Sequence, residues 1–213
     1  MAAESNLKNM VIVLGLTCLL CSAVLGGAYA LTKEPIDAAA QAKTDKAIGA
    51  VLPAFESTTL SSVDVDGVTY DYYKAVQGGE TVGYAILSTV GGFGGPLTLM
   101  VGVTPDGVVY NTSVLSHSET PGLGAKCTTD EKFMAQWQGF DPSAKILSVK
   151  KDGGDVDAIT ASTITSRAYT DAVKNALAAL AAISSDTPVI SSDTPVISSE
   201  VEKSNENGGK DNE

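Results

Sequence analysis

Ser62-Val63-Asp64-Val65-Asp66-Gly67-Val68-Thr69-Tyr70-Asp71-Tyr72-Tyr73-Lys74-Ala75-Val76-Gln77-Gly78-Gly79-Glu80-Thr81-Val82-Gly83-Tyr84-Ala85-Ile86-Leu87-Ser88 is the stretch that decides the fold class. Apolar and polar residues alternate along it with a period near two, the signature of strands with one buried face. Asp66-Gly67 and Gly78-Gly79 interrupt the alternation with residues that tolerate positive φ, which marks tight hairpin turns. The spacing predicts strands over Val63–Val65, Val68–Val76 and Val82–Ser88. The pattern returns at Leu97–Val103 and Val108–Ser116, joined by Thr104-Pro105-Asp106-Gly107, where proline presets a turn. Consecutive strands joined by short turns give a twisted antiparallel meander, and with the helices read on either side the class is α+β.

On the N-terminal side, Met10 to Leu31 contains 22 residues without a charge. As a helix these rise roughly 33 Å, about the thickness of a bilayer core. The competing reading is a cleaved signal peptide, because Ala28-Tyr29-Ala30 is an A-x-A pattern. A single transmembrane helix over 10–31 is preferred: the apolar run exceeds a signal h-region, and Lys8 in the short 1–9 segment is offset by Glu4. Orientation is open, since Lys8 on one side is matched by Lys33 on the other. Glu34-Pro35 then opens an Ala-rich helix with Ala38, Ala42, Ile48, Val51 and Leu52 on one face, ended by Pro53.

On the C-terminal side, a short helix is predicted from Thr128, with Glu131 completing a capping box and Phe133 and Trp137 in the core. Lys145–Lys150 reads as a strand, Asp152-Gly153-Gly154-Asp155 as a turn, and about Thr165 to Ile183 as an amphipathic helix. The domain therefore spans 32–183. In the remaining 184–213, Ser184–Ile190 is repeated unchanged as Ser191–Ile197, and the low complexity, proline and acid predict disorder.

The whole chain of 213 residues has room for one domain of ordinary size. Its formal net charge is −11, about half of it in the last thirty residues. No basic stripe is present, which excludes nucleic acid as a partner. Cys18 and Cys21 lie in the apolar run as fillers and Cys127 is alone, so no disulfide framework or metal site is expected.

The chemistry concentrates in Asp157-Ala158-Ile159-Thr160-Ala161-Ser162-Thr163, three hydroxyls and a carboxylate between a turn and a helix. Thr160, Ser162, Thr163 and Thr165 are each suited to cap that helix. A helix N-terminus also offers free N–H groups and a positive dipole end to an anion, and Arg167 adds a full charge in the first turn.

These residues resemble the FMN-attachment motif of the flavin-carrying subunits of Rnf and sodium-pumping NADH:quinone oxidoreductase complexes. Asp157, Thr160 and Thr163 match that motif, while Ala161 stands in for its glycine and Ser162 for its alanine. If the glycine position has positive φ, a Cβ there is unfavourable. The resemblance implies a covalent FMN, joined through its phosphate as a phosphoester to Thr163. A threonine hydroxyl is a weak nucleophile without an activating base or metal, so self-attachment is not expected. The family uses a magnesium-dependent flavin transferase with FAD as donor, and Asp157 would belong to its recognition sequence.

Ser116-His117-Ser118-Glu119-Thr120-Pro121-Gly122-Leu123-Gly124, preceded by Gly91-Gly92-Phe93-Gly94-Gly95-Pro96, resembles the G subunit of Rnf complexes specifically. The similarity runs from about Val82 to Lys126 and resumes from Lys145 to Leu180. It implies that Glu119, Thr120, Gly122 and Leu123 contact the flavin, with glycines allowing close approach to a flat ring and Leu123 covering one face. His117, the only histidine, reads as a hydrogen-bonded loop residue, because a flavin that relays electrons needs no general base. No residue is assigned a catalytic role and none a metal.

The implied function is the membrane-anchored flavoprotein subunit of an Rnf-type ion-translocating ferredoxin:NAD oxidoreductase, an electron-transfer part of a translocase that is inactive alone. Its implied partners are the other membrane and peripheral subunits, the flavin transferase and membrane lipid. The flavin domain is expected on the extracytoplasmic side of the bacterial inner membrane. Two alternatives stand beside it: the equivalent subunit of a sodium-translocating quinone reductase, and a membrane-tethered binding module without cofactor.

Overall fold

The computed structural model describes residues 7–185. The low-complexity tail beyond Ser185 lies outside the described residues, as does most of the 1–9 segment. The chain divides into two compact units, Met1–Asp45 and Lys46–Glu213.

The first unit consists of most of helix α1, Leu7–Val51, which is long and apolar enough to cross a membrane. The sequence predicts a break near Pro35, but α1 continues through it. A proline removes one N–H donor, and the alanine-rich sequence on both sides favours the helix. Of the residues read on one helical face, Ala38 and Ala42 are exposed and Ile48, Val51 and Leu52 are buried; burial begins at Ala47.

The second unit is built on a five-stranded sheet in the order β1-β2-β3-β4-β5, with every neighbour antiparallel. The strands are β1 Ser57–Val65, β2 Val68–Gln77, β3 Glu80–Gly91, β4 Pro96–Val103 and β5 Val109–His117. Val65 pairs with Val68 across Asp66-Gly67, and Gln77 with Glu80 across Gly78-Gly79. All four turn residues have positive φ, between 52° and 85°. This is the two-residue turn whose twist suits a hairpin.

The sheet is covered on both faces. On one, Tyr72, Ile86, Leu97, Leu99, Val101 and Val103 pack with helix α3, Thr163–Ser185, through Ala168, Tyr169, Ala172, Val173, Ala176 and Leu180. On the other, Ala75, Ala85 and Met100 pack with Ala47, Ile48, Val51 and Leu52. Neighbouring residues of β4 thus enter opposite cores, and its central part is buried throughout. Gly102 lets the end of α1 approach, since a Cβ there would collide with the Val51 carbonyl. Asn111 donates its side-chain N–H to the Ala50 carbonyl at 3.0 Å and closes that helix end.

Between β5 and α3 the chain departs from the predicted elements. A 3-10 turn occupies Gly124–Thr128, and helix α2 covers only Glu131–Ala135. Asp130, not Thr128, is its cap: the carboxylate accepts from the Lys132 and Phe133 N–H groups, both at 3.1 Å. Phe133 and Trp137 are buried and meet Tyr169 of α3 at ring distances of 5.0 and 5.1 Å. Lys145–Lys150 is not a strand. Its one bridge pairs Val149 with Val156, and the Asp155 carboxylate takes the Ile146 N–H at 2.7 Å. A few backbone bonds, Val156 N–H to Ser148 O and Lys150 N–H to Val156 O, both at 2.9 Å, stand here in place of a full ladder.

Candidate functional site

The start of α3 is set by two serines and an alanine. Ser166, fully buried, accepts the Ile159 N–H at 2.9 Å and donates its hydroxyl to the Ser162 carbonyl at 3.0 Å. The Ser162 N–H returns to the Ile159 carbonyl at 3.0 Å, closing a tight loop. Ala161 makes the reversal at φ 61°, in the left-handed region. The position that the attachment motif gives to glycine is therefore one where a Cβ is strained, as its residue type implied.

Thr163 is the first residue of α3, two positions earlier than the sequence suggests. The Ser162 hydroxyl, at the position before it, makes no capping bond. The residue is 7% exposed and its Oγ has no hydrogen-bond partner. The leading N–H groups of a helix have no carbonyl within it to pair with.

Facing this helix start are the glycine loop after β3 and the loop after β5, joined by Glu119. That carboxylate is 5% exposed, accepts the Phe93 N–H at 2.8 Å through Oε1, and accepts the Thr165 hydroxyl at 2.8 Å through Oε2. The glycines serve this packing. A Cβ on Gly92 would meet Oε1, one on Gly94 the Ser118 carbonyl, and one on Gly124 both Oε2 and Thr165. Gly124 thus makes room for Glu119, and Gly122 turns the loop at φ 76°.

These segments enclose a cavity of about 330 Å³. Of the residues singled out in the sequence, Glu119, Thr120, Leu123, Ser162, Thr163 and Thr165 line it. Thr160, Gly122 and Arg167 do not. Sequence reasoning left out three further lining side chains, those of Phe93, Ala161 and Ile164. Phe93 carried a signal, as a lone aromatic between two glycine pairs. Phe93, Leu123 and Ile164 are 65%, 43% and 51% exposed and give the cavity an apolar rim.

Arg167 is turned away. Its Nε and Nη2 donate to the two oxygens of Asp152, each at 2.7 Å. These bonds hold the Asp152 carboxyl below the usual range and raise the guanidinium. The cation at Thr163 is instead Lys151, whose Nζ donates to Oγ1 at 3.3 Å. Nothing in the linear sequence marked Lys151, because a turn brings it there across twelve positions. Asp157 is exposed and pairs with Lys150 at 2.7 Å. His117 accepts the Glu119 N–H on Nδ1 at 3.2 Å, a loop-holding role outside the cavity.

Residues 92–178 match the FMN-binding domain family. The chain is 35% identical over 173 residues to the G subunit of the proton-translocating ferredoxin:NAD(+) oxidoreductase complex of Clostridium ljungdahlii, covering 80% of this chain and 87% of that protein. It is 39% identical over 171 residues to the G subunit of the ion-translocating oxidoreductase complex of Methanosarcina acetivorans, covering 76% and 89%. The chain belongs to the G-subunit family of ion-translocating oxidoreductase complexes. Among solved structures, the C subunit of the Na(+)-translocating NADH-quinone reductase from Parabacteroides distasonis aligns over 69% of this chain and 85% of that one, at 20% identity and a TM-score of 0.47.

The cavity fits the cofactor named by the family. Its volume lies at the lower end of the ~300–1,000 Å³ usual for ligand sites. An apolar rim suits an aromatic ring, while a buried partnerless hydroxyl and a helix N-terminus at the other lining segment suit a phosphate. The two lining segments come together from 46 positions apart, at Glu119 and Thr165.

Proposed function

We propose that this chain is the flavin-carrying electron-transfer subunit of an Rnf-type ion-translocating ferredoxin:NAD oxidoreductase, with FMN joined by a phosphoester to Thr163. The observation that carries the covalent reading is the position of Thr163, the first residue of α3 and part of the cavity lining, next to the partnerless hydroxyl of Ser162. Bound FMN supplies one- and two-electron redox chemistry. The chain supplies binding: Thr163 is the acceptor, the Ser162 hydroxyl and helix start receive the phosphate, and Phe93, Leu123 and Ile164 border the ring.

Attachment forms a Thr163 Oγ–P bond and breaks the pyrophosphate of FAD, and AMP leaves with the bonding pair while the hydroxyl proton passes to solvent. A separate magnesium-dependent transferase performs it, as a threonine hydroxyl is a weak nucleophile without an activating base or metal. Residues 10–31 anchor the chain in the inner membrane as a single span. The domain over 32–183 works on the extracytoplasmic side, where a covalent tether prevents loss of the cofactor. Electrons pass to and from neighbouring membrane and peripheral subunits.

The test is coexpression of the full chain with a flavin transferase, followed by in-gel fluorescence after denaturation. Wild type is expected to fluoresce, and Thr163→Ala to be dark. A colourless wild-type band overturns the covalent reading and favours a tethered binding module.

A further inference from the structure

We propose that Lys151 is the cation that receives the phosphoryl group at Thr163, held in place by the Asp152–Arg167 pair; this rests on the reading of Thr163 as acceptor. The cations around the start of α3 are otherwise engaged. Lys150 pairs with Asp157 at 2.7 Å, Arg167 with Asp152 at 2.7 Å, and Lys174 with Asp171 at 3.1 Å. Among the described residues Lys151 is in no ion pair, and its hydrogen bond goes to Thr163 Oγ1.

The turn that presents Lys151 is built rather than loose. Lys150–Asp152 is a 3-10 turn, ended by Gly153 at φ 80°. It is tied below by Lys150 N–H to Val156 O at 2.9 Å and Val156 N–H to Ser148 O at 2.9 Å. Gly154 lies against the Ser148 carbonyl, where any Cβ would collide. Asp152 then fixes the turn to α3 through both guanidinium bonds of Arg167. Arg167 is thus a positioning residue: it acts on the acceptor through Lys151.

The chemistry suits this placement. An ammonium donating to Oγ1 favours the developing alkoxide as the Oγ–P bond forms, and it leaves the hydroxyl proton free to depart. At 3.3 Å the contact is longer than a charge-assisted bond of about 2.7–2.9 Å, so the ammonium can turn to a phosphoryl oxygen. The product phosphodiester keeps one negative charge, which the Lys151 ammonium and the partnerless Ser162 hydroxyl would hold.

The experiment uses the full chain in detergent with purified transferase, magnesium and FAD. Incorporation is followed by in-gel fluorescence, and the phosphorus resonance of the attached FMN is recorded by 31P NMR. Lys151→Met is expected to slow incorporation about tenfold and to move the resonance, while Lys151→Arg restores both. Arg167→Met is expected to slow incorporation in the wild-type background and to have no added effect in Lys151→Met. An unchanged rate in Lys151→Met overturns the proposal. So does a slowed rate with an unmoved resonance, which assigns Lys151 to transferase docking alone. A wild-type protein that takes up no flavin instead fails the reading of Thr163, a result distinct from either.

Discussion

The Glu119 carboxylate and the Thr165 hydroxyl, 46 positions apart, meet at 2.8 Å in a buried bond that ties the loop after β5 to the first turn of α3. The same carboxylate takes the Phe93 N–H at 2.8 Å, so one side chain holds three walls of the cavity.

Removing that side chain strands two donors at once, the buried Thr165 hydroxyl and the part-buried Phe93 N–H. Glu119→Ala is expected to cost about 2–3 kcal/mol, while Glu119→Gln, which keeps one acceptor and can donate to Thr165, costs about 1. Urea unfolding of both variants checks the order. Equal midpoints for Ala and Gln would show that the carboxylate is not the tie.

Ala161 carries strain that its glycine counterpart in the motif lacks. A non-glycine residue in the left-handed region costs about 1–2 kcal/mol, and the entropy of a new glycine in the unfolded chain returns about 0.4–1 of this. Ala161→Gly should therefore stabilise the domain by about 0.5–1 kcal/mol, read as a rise in Tm. A fall in Tm would place the strain elsewhere.

Tyr169 is held neutral by burial, which pushes its phenol well above the usual range despite the 2.7 Å bond to Thr112. A raised folded pKa means that the folded form keeps a proton the unfolded chain loses. Stability from this source is complete below the ordinary tyrosine value near 10 and is lost as pH rises beyond it. Tyr169→Phe should cost about 1–2 kcal/mol at pH 7 and flatten the decline between about pH 9.5 and 11. Parallel pH curves for the two proteins would rule this out.

Cys127 is fully buried, and burial, with the Glu119 carboxylate nearby, pushes its thiol up to about 11. The thiolate at pH 8 is thereby about a hundredfold scarcer than in an ordinary cysteine of pKa near 9. In a Cys18→Ser, Cys21→Ser background, iodoacetamide should leave the native protein unlabelled and react only after denaturation. Rapid native labelling at pH 8 would contradict that burial.

The sheet was legible because period-two alternation and the Asp66-Gly67 and Gly78-Gly79 turns are local signals. Each strand pairs with its chain neighbour, so order and direction follow without long-range information. The start of α3 was legible to within two residues for the same reason. Less of the region between β5 and α3 could be read, where Asp130 displaces Thr128 as cap and Lys145–Lys150 fails to form a strand. There, side chains from elsewhere satisfy the backbone, and no periodicity records them.

The strands, their hairpin turns and the apolar N-terminal helix were determined by the sequence itself, since each is a contiguous pattern with a physical meaning of its own. Tertiary structure alone decided which cation stands at Thr163. Arg167 is nearer in the chain and sits in the right helical turn, yet Asp152 draws it off through two short bonds, and the turn at 150–152 delivers Lys151 in its place. Coulombic pairing depends on distance in space, and that distance is fixed only when the turn folds back on the helix.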